Sequence, residues 1–222
     1  MSPILEIIIP VLNEEKILID KKEYYQWLAT QGNLIFVDGG SQDRTVVIAK
    51  EIAKVIQTAA GRAIQMNEAG KYATAEFLLF LHVDAFLTSQ SFDRLYKAIK
   101  EGMSVGCFTL KIDDPIFVFR LFEFLVNIRA KYFRILDGDL GVIINRNEFV
   151  NVGGFDLVGL MEDILFSRKI KRTKNFLMLT EKIHVSSRVW HEQGFFKVLF
   201  VYSQRYLHFW KNEFLEIFGK KA

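Results

Sequence analysis

The sequence predicts an α/β domain with a mostly parallel central sheet flanked by helices, and three observations carry that prediction. Through residues 1–101, short β-branched or aromatic runs alternate with stretches of helical periodicity, as parallel strands joined by helical crossovers require. Three of these runs end in polar groups: Asn13 and Glu14, then Asp38, then His82 and Asp84. Ligands of doubly wound sheets bind at the carboxyl ends of the strands. Half of the 222 residues are hydrophobic and only three are proline, so one domain can bury a sizeable core without a disordered linker.

Each element has its own warrant. "ILEIIIPV" is a β-branched strand halted by Pro10, and Ile17, Leu18, Tyr24, Tyr25 and Leu28 follow at helical spacing. "NLIFVD" is a second strand, ending at Asp38 before two glycines; Asp43 is placed to cap a helix carrying Val46, Val47, Ala49 and Ala53. "KVIQTA" is a short third strand, and "GRAIQMNEAGKYA" a loop entering a helix. "LLFLHVDAF" reads as a buried strand running to its end with His82 and Asp84 on one face and Val83 on the other. Beyond residue 102, "SVGCFTLKI" is a strand, 115–133 a Phe-rich helix, "LGVIINR" a strand, "GGFD" a turn, and "EDILFSRKIKR" a helix opened by two acids. The chain ends in a long amphipathic helix. Residues 1–222 are thus expected to form a single domain, of which 1–101, 102–192 and 193–222 are successive parts.

Composition excludes several classes. One cysteine, Cys107, rules out an intramolecular disulfide and suits a reducing compartment. "MSPILEIIIPVLNEE" lacks the features of a signal peptide, and no apolar run approaches the roughly 18 residues that span a bilayer. The expected location is the cytoplasm, including the inner face of its membrane. A net charge of +3 gives no reason to expect nucleic acid. "DGGSQD" lacks the glycine order of a dinucleotide fingerprint, no P-loop sequence occurs, and no Cys/His zinc spacing is present.

Five segments, "IIIPVLNEE", "VDGGSQDRT", "LLFLHVDA", "GVIINRNEFVNVGGFD" and "MEDILFSRKIKR", stand in an order and at distances that resemble a family 2 glycosyltransferase of GT-A fold. The resemblance covers nearly the whole chain. "GRAIQMNEAG", "GDLG" and "SSRVW" further resemble a bacterial subgroup named for association with radical-SAM, selenodomain or arsenosugar-biosynthesis proteins. The family implies a Rossmann-like nucleotide-diphospho-sugar transferase fold, a nucleotide-diphosphate sugar donor, Mn2+ or Mg2+ on its pyrophosphate, and displacement with inversion at the anomeric carbon. Residues 1–101 would then bind the donor, a UDP-sugar rather than a GDP-sugar, and residues 102–192 the acceptor. A sugar-phosphate nucleotidyltransferase is the alternative enzyme, although "PVLNEEKIL" lacks its glycine-rich loop; a non-catalytic nucleotide-binding or membrane-surface scaffold is the alternative outside enzymes.

The resemblance also assigns residues. Pro10, Asn13 and Glu14 would wall the nucleotide pocket, though Glu14 and Glu15 also suit a helix N-terminus electrostatically. Asp38 matches the position that bonds the base; before Gly39 it is equally a turn-former. Arg62, at a helix start with Gln65 and Asn67 behind it, would meet the base or phosphates. In the family's Asp-Xaa-Asp metal motif His82 replaces the first Asp. His82 is thus either a nitrogen ligand or a hydrogen-bonding wall residue, and Asp84 is the expected metal ligand, with phosphate oxygens and water completing the shell. Asp163 matches the general base, and Glu162, Asp139, Arg188 and Trp190 belong to the acceptor side. "SSRVW" departs from the Gln-Xaa-Xaa-Arg-Trp of processive members, which implies transfer of a single hexosyl-type unit.

Basic charge and aromatics coincide in two places. Residues 115–135 and 193–222 each carry a net charge of +3, and together they hold 11 of the 21 Phe. The C-terminal helix sets Phe196, Leu199, Phe200, Leu207, Trp210, Phe214 and Phe218 on one stripe, with Lys197, Arg205 and Lys211 largely away from it. Such a stripe packs as core, pairs two copies, or docks on an anionic membrane that holds a lipid or lipid-linked acceptor.

Overall fold

A computed structural model describes residues 3–159 and 161–194, with Lys197 and Gln204 as isolated positions beyond. The chain divides into two units, Met1–Val185 and Ser186–Ala222. The first opens with β1 (Leu5–Val11), α1 (Glu15–Asp20), α2 (Lys22–Gln31), β2 (Asn33–Asp38), α3 (Thr45–Lys50), β3 (Lys54–Gln57), α4 (Arg62–Tyr72) and β4 (Phe77–Phe80). It continues through β5 (Ala85–Phe86), α5 (Ser89–Lys100), β6 (Val105–Ile112), α6 (Phe117–Phe133), a 3-10 turn at Gly138–Leu140, β7 (Val142–Asn145), α7 (Arg146–Asn151), α8 (Glu162–Ile170) and β8 (Phe176–Val185). In the second unit the described helix is α9 (Arg188–Gln193). The C-terminal stripe from Phe196 to Phe218 lies outside the described residues.

Among the described residues, eight strands form one sheet in the order β3-β2-β1-β4-β7-β6-β8-β5. The first four are parallel throughout. β7 runs antiparallel to both β4 and β6, β8 returns parallel to β6, and the two-residue β5 pairs antiparallel with β8. The chain leaves β1 for β2 and β3 on one side and returns to β4 on the other, so the strand order reverses beside β1. Crevices open at the carboxyl ends of strands at such a reversal. β1, β2 and β4 are almost wholly buried, as strands covered on both faces should be. The one acid inside β1, Glu6, has its carboxylate bonded to the Asn33 amide and to the N–H groups of Thr74 and Ala75, which offsets its burial.

Four local expectations are corrected. β4 ends at Phe80, and the Ala85 N–H donates to the His82 carbonyl at 3.1 Å, so residues 82–85 form a turn rather than the end of one strand. Burial still alternates through it: Leu81, Val83 and Ala85 are buried, while His82 and Asp84 are half-buried. The helix expected across Ile17–Leu28 is two, broken at Lys21. α3 stops at Lys50, short of Ala53, and Val47 faces solvent. Asp43 is not the N-cap: Arg44 holds that position, and the Asp43 carboxylate accepts from the Thr45 N–H at 3.0 Å from one residue before it.

Candidate active site

Two loops are sewn together at the ends of β1 and β2. The Asn13 N–H donates to Ser41 Oγ at 2.9 Å, while Asn13 Oδ1 accepts from the Gln42 N–H at 2.8 Å. Asn13 does this at φ 56°, a left-handed conformation that asparagine tolerates better than most residues. The Glu14 N–H adds a 2.7 Å bond to Thr45 Oγ1. Asp38 is fully buried, and its carboxylate accepts from the N–H groups of Gly40 and Ser41 at 3.0 and 3.2 Å. It therefore fixes the turn that the first loop grips. Gln65 closes the floor: its side-chain amide donates to the carbonyls of Val11 and Val37 at 3.0 and 2.6 Å, joining α4 to the last residues of both strands.

The turn after β4 is held from below by adjacent tyrosines of α2. The Tyr25 hydroxyl donates to the carbonyl of Val83, and the Tyr24 hydroxyl accepts from the Leu87 N–H at 2.9 Å. Burial pushes the Tyr24 phenol up to about 12. Burial raises Tyr25 further, with the charges of Tyr24, Asp84 and Glu14 adding to it. Glu14 and Asp84, from the ends of β1 and β4, therefore act on the same phenol.

On the other flank stands a charged cluster. His82 Nδ1 lies 2.7 Å from Asp139 Oδ1, which binds the end of β4 to the 3-10 turn. His82 Nε2 is buried without a hydrogen-bond partner. It faces Gly138, where a Cβ would run into the imidazole. The Gly138 N–H in turn donates to Asp163 Oδ2 at 2.9 Å. Arg62 Nη1 is 3.4 Å from Glu162 Oε1. Burial raises the Glu162 carboxyl above the ordinary range; Arg62 opposes the shift and Asp163 reinforces it. Burial also works against ionised Asp139, but the hydrogen bond and charge of His82, with Arg62 beyond, leave its carboxyl below the usual range. Arg62, His82, Gly138, Glu162 and Asp163 line one narrow cleft, whose apolar wall is Met66, Phe80, Val142 and Phe155.

A sequence model of Glycosyl transferase family 2 matches residues 6–157. The chain belongs to glycosyl transferase family 2. Solved structures agree with the fold of this family member. It covers 84% of its own length and 61% of TarS 1–349 from S. aureus, at TM-score 0.66 and 22% identity. The mannosyltransferase PcManGT from Pyrobaculum calidifontis, solved with GDP-Man and Mn2+, gives TM-score 0.62 at 18% identity, over 83% of this chain and 57% of that one. Glucosyl-3-phosphoglycerate synthase from Mycobacterium tuberculosis, solved with phosphoglyceric acid, gives 0.57 at 16% identity, over 81% and 70%. A comparison with curated proteins finds no match. At these identities the structural likeness shows the GT-A fold, a mixed and mostly parallel sheet flanked by helices.

In this family 2 member, His82, Asp139, Arg62, Glu162 and Asp163 come together in the charged cluster. Asn13, Glu14 and Asp84 stand at the ends of β1 and β4, beside half-buried Pro10, the penultimate residue of β1. Arg188 and Trp190 stand on α9 in the second unit, where the Arg188 N–H donates to Ser186 Oγ at 3.2 Å. Among the described residues no three His, Cys, Asp or Glu side chains are grouped to enclose a metal ion. Asp84 fits an ion that takes one carboxylate from the protein and the rest of its shell from phosphate and water. His82 fits the wall role better, since Asp139 occupies Nδ1 and Gly138 covers Nε2.

The helical spacing of Tyr24 and Tyr25 points only to packing and does not show their grip on the chain after β4. Paired tyrosines on a buried helix were the available signal, because a buried phenol needs a hydrogen-bond partner. Asn67 also has a role of another kind than nucleotide contact: its amide donates to the Phe155 carbonyl and accepts from the Phe155 N–H, both at 2.8 Å. It pins the "GGFD" turn, where Gly154 sits at φ 64° and a Cβ would strike the Asn67 amide.

Proposed function

We infer that this transferase moves one sugar from a nucleotide-diphosphate sugar to an acceptor hydroxyl, with inversion. The observation that carries this reading is the cleft lined together by Arg62, His82, Glu162 and Asp163, in a sheet whose strand order reverses beside β1. The donor would lie over the ends of β1 and β4, against Asn13 and Glu14, with Asp38 and Gln65 setting the shape of the floor. Asp84 would hold Mn2+ or Mg2+, and a bound divalent ion neutralises charge on the leaving diphosphate. The GDP-Man and Mn2+ in the P. calidifontis mannosyltransferase support a metal-bound donor here.

Asp163 is the proposed general base. Its Oδ2 is steadied by the Gly138 N–H while lone pairs remain on the carboxylate to accept a proton. As the acceptor oxygen bonds to the anomeric carbon, Asp163 takes the hydroxyl proton; the bond from that carbon to the diphosphate breaks and the nucleoside diphosphate departs. Glu162 holds Arg62 at the cleft edge, and Arg62 is placed to meet a phosphate. The departures in "SSRVW" support a single transfer rather than polymerisation. UDP is the proposed nucleotide by resemblance, a lipid or lipid-linked alcohol the proposed acceptor, and the narrower subgroup resemblance contributes no substrate.

A panel of nucleotide sugars, each incubated with the full chain and Mn2+, tests the reading by release of nucleoside diphosphate. Release with at least one donor, abolished by chelator, is expected. No release from any donor, together with no metal-dependent nucleotide binding, would leave a scaffold.

A further inference from the structure

We propose that the outer face of α6, bordered by the loop at residues 171–174, is a docking surface for an anionic membrane. α6 buries Phe119, Val126 and Ala130 on its inner side. Its outer side is apolar as well. Phe117 is 79% exposed, and Leu121, Phe124, Leu125, Tyr132 and Phe133 are each about half exposed or more. Most of these lie three or four residues apart, so they form a continuous stripe along the helix. Contiguous exposed apolar surface of this kind marks an interaction face.

Charge identifies the partner. Lys131 on the helix and Lys171, Arg172 and Lys174 in the loop are all exposed, and no ion pair ties them to acids among the described residues. Arg134 brings the loop to the end of the helix by donating to the carbonyls of Lys171 and Thr173 at 3.0 and 3.1 Å. Nearby acids are already engaged: Asp137 with Arg129, Glu123 with Arg120, and Asp156 with Lys169. These four cations have no countercharge from the chain among the described residues. An anionic lipid surface supplies that countercharge and accepts the aromatic stripe below its headgroups.

The inference rests on exposure and charge, independently of the transfer reaction. The test is flotation of the full chain with phosphatidylcholine vesicles and with vesicles in which about a third of the lipid is phosphatidylglycerol. Binding to the anionic vesicles alone, falling as salt rises, is expected. Each of Lys131→Gln, Lys171→Gln and Lys174→Gln should lower partitioning by about fivefold, and Phe117→Ser with Phe124→Ser should abolish it. Both phenylalanines are exposed, so an unchanged thermal melt will show that these variants fold. Equal binding to both vesicle types, binding indifferent to all five substitutions, or no binding at all would overturn the proposal. A dimer in sedimentation that Phe117→Ser and Phe124→Ser dissolve, without vesicle binding, would give the face to a second copy instead.

Discussion

His82 Nδ1 and Asp139 Oδ1, 57 residues apart in sequence, meet at 2.7 Å across the cleft. Their bond fastens the end of β4 to the 3-10 turn, and the Gly138–Asp163 bond carries the link on to α8. Three elements that supply candidate site residues are therefore held by two hydrogen bonds. The arrangement works only because position 138 has no side chain: the imidazole occupies the place of a Cβ.

Gly138→Ala should push the imidazole off Asp139. Overpacking of this kind costs about 1–3 kcal/mol, and chemical denaturation will measure it. The cost should shrink in a His82→Ala background, where the ring is gone, so a double-mutant cycle reads the contact directly. Equal cost in both backgrounds would mean that Gly138 is needed for its backbone alone.

Tyr25→Phe keeps the ring and removes the donor to the Val83 carbonyl. The buried carbonyl would be left without that partner, at a cost of about 1–3 kcal/mol. Because Val83 precedes Asp84, metal-dependent nucleotide affinity should fall together with stability. Calorimetry of nucleoside diphosphate with Mn2+ checks this. A loss of stability with unchanged affinity would show that the turn keeps its shape without the phenol.

Two shifted carboxyls of the site cluster, Glu162 and Asp139, act on stability in opposite directions with pH. Glu162 is raised, chiefly by burial, so the folded chain holds its proton in a window just above the ordinary value of 4.5. Stability from this group is therefore lost as pH rises through that window. Glu162→Gln should gain on the parent in melting temperature as pH rises, and the gap should level off once Glu162 is ionised in both states. Asp139 is lowered despite burial, through His82. Its stabilising share is present above 3.8 and is lost as pH falls through the lower folded value, so Asp139→Asn should cost most near neutrality. Melting curves between about pH 2 and 8 test both signs. A gap between parent and Glu162→Gln that does not change with pH would contradict the first.

What was legible in the sequence was the part governed by burial and strand ends. β1, β2 and β4 are apolar on both faces, so they read as continuous runs, and the polar residues that stop them mark the crevice. β8 was not legible: its centre, "LTEK", is partly exposed and breaks the apolar pattern, and the strand is specified by pairing with β6 rather than by its own composition. α5 was also passed over, although Thr88 and Ser91 form a capping box at its start. In the site, motif resemblance named His82, Asp139 and Asp163 but not their connections. The contact of Gly138 with His82 depends on a turn and a strand end from opposite halves of the fold, and no local pattern encodes such a distance.

Asp84 and Asp163 should separate by reaction step. Asp84 lies in the turn after β4, next to Val83, whose carbonyl Tyr25 holds, and this is where a donor diphosphate would lie. Asp163 is in the first turn of α8 and accepts from the Gly138 N–H of the 3-10 turn. Asp163→Asn keeps the shape and an oxygen to accept from the Gly138 N–H, but it lacks a usable base. Donor affinity should hardly change, while turnover falls by about 10²–10⁴-fold, the usual worth of general-base catalysis. Asp84→Asn should instead weaken metal-dependent donor binding and turnover together. Donor affinity by calorimetry and single-turnover rates for both variants make the comparison. Near-parent turnover in Asp163→Asn would move the base to Glu162, whose raised carboxyl lines the same cleft. Glu162→Gln would then carry the loss of rate without a loss of donor affinity.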